Sequence, residues 1–187
     1  MSTAPGGKTQ LEVEIAAADV VELLLWRHHE NAENTRIHRR IRIAFSLILG
    51  LLLVGIAVGM GSPWAAATGP AAAVFYYYRY PSAADRHQRR HFRRLVEASP
   101  RDYELGRHRF ELDGQVLQRT FAGEVVRVPI WSVEEAIPRG PVTVLRVGPG
   151  SALVLPMRDD RAGVGAFVAE LLRRRGAAAE GRVGAVA

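Results

Sequence analysis

With 187 residues, 25 basic side chains against 19 acidic ones and a net charge of +6, the chain has room for one modest domain and a few accessory segments. It contains no cysteine, which excludes a disulfide framework, a thiolate nucleophile and any Cys-ligated zinc or iron–sulfur centre. The charge is segregated, since no Asp, Glu, Lys, Arg or His occurs from Ile43 to Tyr78 while arginine crowds both flanks; anionic phospholipid headgroups, rather than nucleic acid, are therefore the expected partner of the basic residues.

In chain order, residues 1–10 are small and polar with no apolar period and read as a disordered lead-in. Leu11 to Ile15 alternates apolar and acidic residues, the pattern of a short half-buried strand. Asp19 reads as the cap of a helix with Val20, Leu23, Leu24 and Trp26 on its apolar face, so residues 11–42 form a cytoplasmic strand and helix. Eighteen uncharged residues from Ile43 to Met60 make a helix about 27 Å long, close to a hydrocarbon core of roughly 30 Å, and residues 43–60 are the first expected transmembrane helix. Gly61-Ser62-Pro63 signals an extracytoplasmic turn, and Trp64 stands where an interfacial aromatic would sit. The second expected span, residues 64–80, is richer in Ala, Gly and Pro. It ends in Tyr76-Tyr77-Tyr78-Arg79-Tyr80, an aromatic belt from which Arg79 can snorkel.

Orientation follows from the arginines. Arg36, Arg39, Arg40 and Arg42 precede the first span, Arg79, Arg86, Arg89, Arg90, Arg93 and Arg94 follow, and the intervening turn is uncharged; both flanks should stay cytoplasmic in a multi-pass protein of the inner membrane. Of these, Arg39, Arg40, Arg42, Arg79, Arg86, Arg89, Arg90, Arg93 and Arg94 are the expected headgroup contacts. Gly55 and Gly59 form a GxxxG pattern and Ala65 to Ala73 is almost entirely small, which predicts close helix packing within the hairpin, with homodimerisation through the same faces as the alternative. The lack of charge inside the spans argues against an ion or proton pathway built from them alone.

Residues 81–98 read as a basic juxtamembrane helix, broken by Ser99-Pro100. Strands follow at Tyr103–Leu105, Arg109–Asp113, Val116–Phe121, Val125–Val128, Trp131–Ile137, Val142–Val147 and Ala152–Leu155, with Asp113-Gly114 as a hairpin turn. Val164, Phe167, Val168, Leu171 and Leu172 then recur at helical spacing, so an amphipathic helix ends near Arg173-Arg174-Arg175 and residues 176–187 trail as a disordered tail. This order predicts a membrane α+β fold: a transmembrane hairpin followed, over residues 99–175, by an antiparallel β-barrel domain closed by a helix, like a pleckstrin-homology (PH) half-open barrel. With Trp131-Ser-Val-Glu-Glu135 and Leu153-Val-Leu-Pro156-Met-Arg158, the whole resembles the bacterial YcxB-like membrane protein family over roughly residues 11–175. That resemblance implies a PH-like cytoplasmic domain. In the family a basic turn follows the proline directly, whereas here Met157 intervenes and Asp159-Asp160-Arg161 follows.

The chemistry is sparse. His87 and His91, at i and i+4, share a helix face, and His28, His29 and His38 could approach them, yet no carboxylate completes a ligand motif and Arg89 and Arg90 crowd the pair. Solvated or headgroup-facing histidines are expected, and no metal. Gly148-Pro-Gly150 fits a turn and lacks the Lys-Ser/Thr of a phosphate loop. Glu134-Glu135 and Asp159-Asp160 read as solvated acids and Trp131 as a core or edge anchor. No catalytic residue or cofactor is therefore expected. The leading expectation is a non-enzymatic, membrane-anchored module that binds a protein partner or organises an assembly at the cytoplasmic face; an accessory subunit of a transporter or envelope complex, joined through the hairpin, is one alternative, and a membrane-bound enzyme, which would need a deep polar pocket, is the other.

Overall fold

A computed structural model of the chain describes residues 9–61, 67–148 and 150–183. Most of the expected lead-in, Ser62 and Pro63 of the turn, Trp64, Ala65 and Ala66 at the start of the second expected span, Pro149 and residues 184–187 of the tail lie outside the described residues. The chain divides into two compact units: one takes in the residues up to Leu23 and again from Arg93 onward, the other runs from Leu24 to Phe92.

Among its described residues the first unit holds seven strands: β1 (Thr9–Ile15), β2 (Gly106–Asp113), β3 (Val116–Phe121), β4 (Glu124–Pro129), β5 (Val133–Arg139), β6 (Val142–Val147) and β7 (Ala152–Pro156). β1 is the alternating segment expected near the start of the chain. It pairs antiparallel with β2 along its whole length, from Thr9 opposite Leu112 to Ile15 opposite Gly106. This sets Leu11 and Ile15 inward, Leu11 opposite Phe110 and Ile15 opposite Gly106, with Glu12 and Glu14 outward. The β2–β3 hairpin turns where Asp113-Gly114 predicts it, and Gly114 has φ +58°, a left-handed conformation that glycine adopts without strain.

The expected barrel is not closed. The strands form two separate antiparallel sheets, in the orders β1-β2-β3-β4 and β5-β6-β7. Between β4 and β5 the chain makes a 3-10 turn at Ile130–Ser132, where the Ile130 N–H turns back to the Gln115 carbonyl at 2.9 Å and the Ser132 hydroxyl donates to the Pro129 carbonyl at 2.7 Å. Backbone groups committed to that turn cannot continue the ladder from β4 into β5. Tyr103–Leu105 is a second correction: it is a turn, with Glu104 at φ +49°, and not a strand.

Helix α1 (Ala17–Glu30) begins in this unit. Asp19 is not its N-cap residue but sits in the first turn, and its carboxylate accepts the Ala16 N–H at 2.8 Å. Almost wholly buried, it also pairs with Arg158 at 2.7 Å, while a second guanidinium nitrogen of Arg158 donates to the Glu14 carbonyl at 2.6 Å. Burial pushes the Asp19 carboxyl up, against the opposing pull of the Ala16 N–H and Arg158. The loop after β7 is thereby tied to the end of β1 and the start of α1, and loss of Arg158 would strand a buried carboxylate.

The closing helix, α4, spans Arg161–Val183, past Arg175 where the sequence pattern ends it. Asp160 accepts the Gly163 N–H at 2.7 Å and caps it. Val164, Phe167 and Leu171 are buried in one cluster with Phe110, Leu112, Leu117, Ile130, Val133, Leu145 and Leu155; Val168 packs at its margin, but Leu172 faces out. Arg174 is no idle surface residue: it pairs with Glu170 at 2.6 Å and reaches the Leu112 carbonyl at 3.3 Å. Arg173 and Arg174 together hold the Glu170 carboxyl down to about 2. His108 is also in the core, fully buried, stacked on Phe121 at 4.4 Å and with its Nε2 against the Glu104 carbonyl at 2.7 Å; desolvation lowers its pKa.

In the second unit, α2 (Ala32–Gly59) starts at Asn31, whose side chain accepts the Glu33 N–H at 2.9 Å. Among the described residues α2 is the helix long and apolar enough to cross a membrane, and Phe45, Leu47, Ile48, Leu51, Leu52, Ile56 and Val58 are exposed along it. α3 (Thr68–Ala98) joins part of the second apolar segment and the basic segment in one continuous helix. The two helices run antiparallel, with Phe45 beside Tyr76, Arg42 at Tyr77 and Gly50 against Gly69 and Ala73. Packing is tightest at a different glycine pair from the one expected. A Cβ on Gly69 would stand 2.6 Å from the Gly50 carbonyl oxygen, whereas nothing among the described residues lies within 4 Å of a Cβ on Gly55 or Gly59. Ser46, Gly50 and Ala57 are the buried positions of α2, and Gly55 lies about 140° around the helix from Gly50 at 100° per residue. The seam uses the small-residue spacing of Ser46 and Gly50.

Two outcomes follow. Leu171→Ala should destabilise the first unit by roughly 2–5 kcal/mol and Arg174→Ala by about 1 kcal/mol, measured by denaturant melts of the full chain; a wild-type melt for Leu171→Ala would show that α4 is not packed as described. Gly69→Val should disrupt the α2–α3 pairing and lower the thermal midpoint, whereas Gly55→Val should leave it unchanged.

Candidate functional site

A pocket of about 290 Å³, open to one side, lies in the second unit and is lined by residues of α1, α2 and α3, among them His28, His29, His38, Tyr80, Asp85 and Gln88. Local sequence explains how they meet. Asn31 ends α1 and caps α2, so the helix breaks there and His28 on α1 comes beside His38 on α2, Nε2 to Nε2 at 3.0 Å. Tyr80, Ala84 and Gln88 recur every four residues on α3 and present one face to that pair. Pro81, inside α3, supplies no N–H for the Tyr77 carbonyl and lines the pocket.

The side-chain amide of Gln88 completes the cluster, with its nitrogen 2.7 Å from His28 Nε2 and 3.1 Å from His38 Nε2. The opposite ring nitrogens are also engaged: His28 Nδ1 lies 3.2 Å from the Asn34 amide, and His38 Nδ1 lies 3.3 Å from the Tyr80 hydroxyl. The Gln88 carbonyl oxygen is buried without a partner, as is Arg42 Nε. Beside the cluster His29 bonds Asp85 at 3.1 Å, and the Arg42 guanidinium lies over the Tyr77 ring, 3.8 Å from its centre.

The sequence singles out His87 and His91, but both are exposed on α3 and neither enters the pocket. Of the expected headgroup contacts, Arg39 and Arg42 line the pocket, and Arg40, Arg79, Arg86, Arg89, Arg90, Arg93 and Arg94 are exposed. Glu134 and Glu135 share Arg146, at 3.1 and 2.8 Å, as surface ion pairs. Trp131 is about half exposed (51%), not a core anchor. No group of three His, Cys, Asp or Glu side chains that could together hold a metal ion occurs among the described residues. Comparison with family models, curated proteins and solved structures returns no match.

Burial, and then the neighbouring His38 and His29, lower the pKa of His28 from its ordinary 6.5. The folded-state pKa of His28 lies below its ordinary 6.5, so the stability that its neutral ring contributes is present above pH 6.5 and is lost as the pH falls from there through the lowered value. Histidine-selective NMR titration should place His28 below 6.5, and His38→Ala should move it back up; an unshifted His28 in both proteins would mean the two rings do not interact.

Proposed function

We propose that the chain is a non-enzymatic binding module anchored in the bacterial inner membrane, in which a two-span helical hairpin is inserted between the first two strands of a PH-like cytoplasmic domain. The observation that carries this reading is the β1–β2 ladder. A strand pair needs both partners on one side of a bilayer, because the hydrocarbon core leaves no room for open backbone hydrogen bonding. A chain that leaves β1 and crosses in α2 must cross back before Gly106, and the long element in that interval is α3. The arginine-rich flanks support a cytoplasmic location for both strands.

Two sheets of four and three strands followed by a closing helix have the element order expected of a PH-like domain. The fold is an argument by analogy; the role rests on surface. Val125 and Val126 on the outermost strand β4, with Trp131 just beyond, are exposed apolar residues that suit a protein or peptide partner. The exposed arginines of α2 and α3 suit anionic headgroups, each nearby arginine contributing about 1 kcal/mol.

A reporter fused after Arg101 should be active in the cytoplasm and one inserted at Ser62 outside it; extracytoplasmic activity of the Arg101 fusion would sink the hairpin. Crosslinking from native membranes should then recover partners that are lost on changing Val125 and Val126 to lysine. Partners retained by that variant would instead favour assembly through the helices.

A further inference from the structure

We infer that His28, His38 and Gln88 form a binding site for a divalent first-row transition-metal ion. The inference rests on the second unit alone and does not depend on the membrane reading. Its basis is that the three side-chain atoms form a nearly equilateral triangle, with edges of 3.0, 2.7 and 3.1 Å, and hydrogen bonds cannot satisfy all three edges at once.

Consider the protons available. If the Gln88 amide group donates to both imidazoles, its two hydrogens diverge too widely to align with two nitrogens that are themselves only 3.0 Å apart. The lone pairs of His28 and His38 then face each other unshielded, and the Gln88 oxygen is left buried without a partner. Turning the amide end for end places that oxygen between the rings, where it accepts from both Nε2–H groups. Two N–H dipoles are then head to head. Letting one imidazole donate to the other satisfies a single edge and turns a hydrogen of the donor away from Gln88. Each arrangement leaves a repulsive edge.

A metal ion removes the conflict because it replaces protons with one shared electrophile. Ligands at about 2.0–2.1 Å from an ion stand about 2.9 Å apart when mutually at right angles and about 3.3 Å apart in a tetrahedron. The observed edges bracket the first value, so two imidazole nitrogens and the amide oxygen are spaced as one face of an octahedral site. The outer contacts fit as well. A ligating imidazole normally engages its other ring nitrogen with a polar neighbour that fixes the ring, and Asn34 and Tyr80 stand at those positions for His28 and His38. Imidazole with amide oxygen suits zinc, nickel or copper better than calcium or magnesium. Asp85, held by His29 on the pocket wall, supplies a nearby negative charge against the positive Arg39 and Arg42 of the same lining, and the Arg42 guanidinium is turned onto the Tyr77 ring. The ligand set was hidden in the sequence because its members come from three helices and one is an amide.

The test uses the full chain in detergent, with a purification tag free of histidine, stripped with a chelator and titrated with zinc. About one ion should bind per chain, and thermal stability should rise with zinc. His28→Ala and His38→Ala should each weaken binding by about tenfold or more and abolish the thermal shift, with a smaller loss for Gln88→Leu. The His87→Ala/His91→Ala double variant should bind as wild type does. Because a pocket variant could lose its fold, wild-type protein loaded with copper(II) gives an independent reading: its electron paramagnetic resonance spectrum should carry coupling from two imidazole nitrogens. No binding by the wild type, binding that survives both single histidine variants, binding lost with His87 and His91, or coupling from fewer than two nitrogens would each overturn the inference.

Discussion

The structure depends on one long-range pairing, that of β1 with β2. Without it β2 would be the edge of its sheet, and Leu11 and Ile15 would be missing from the core. Closing a loop of the roughly 90 residues between Ile15 and Gly106 costs about 4 kcal/mol in chain entropy if the loop is flexible. Helices α2 and α3 span most of that interval and are ordered by their own packing, which reduces the penalty. The small-residue seam at Gly50 and Gly69 therefore affects the strands as well as the helices.

Two side-chain ties of the first unit fall at the same join. Arg158, from the loop after β7, holds Asp19 at the start of α1 and the Glu14 carbonyl on β1. Arg174, from α4, reaches the Leu112 carbonyl on β2 and approaches Thr9 on β1 at 3.4 Å. Each arginine crosses from a late element to an early one, so the seam between the two ends of the fold is locked by charge-assisted hydrogen bonds as well as the ladder. Arg158 also gives a physical meaning to a residue of the Leu153–Arg158 motif.

Much of this was legible in the sequence where a short periodic pattern decides the outcome. The alternation of Leu11 to Ile15, the Asp113-Gly114 turn and the helical spacing of Val164, Phe167 and Leu171 each reappear in the structure. What was hidden depends on partners far along the chain. Nothing local in β1 reveals that it pairs with β2, nothing in Arg174 marks it as tied to a β2 carbonyl, and GxxxG at Gly55 and Gly59 masks a seam at Ser46 and Gly50 that packing selects. The pocket is the extreme case. His87 and His91 form a pair visible by spacing, whereas His28 and His38 meet across the helix break at Asn31, and Gln88 arrives from a helix sixty residues downstream of His28.

The insertion between β1 and β2 also orders events in time. During synthesis at about 5–20 residues per second, the roughly 90 residues separating the strands take on the order of 5–20 s to translate. Throughout that interval β1 has emerged with its hydrogen-bonding edge unsatisfied, and the sheet cannot begin until the helices have left the ribosome. Formation of the β1–β2 ladder is thus a late event of synthesis: β1 has no partner strand until the whole helical segment has been made.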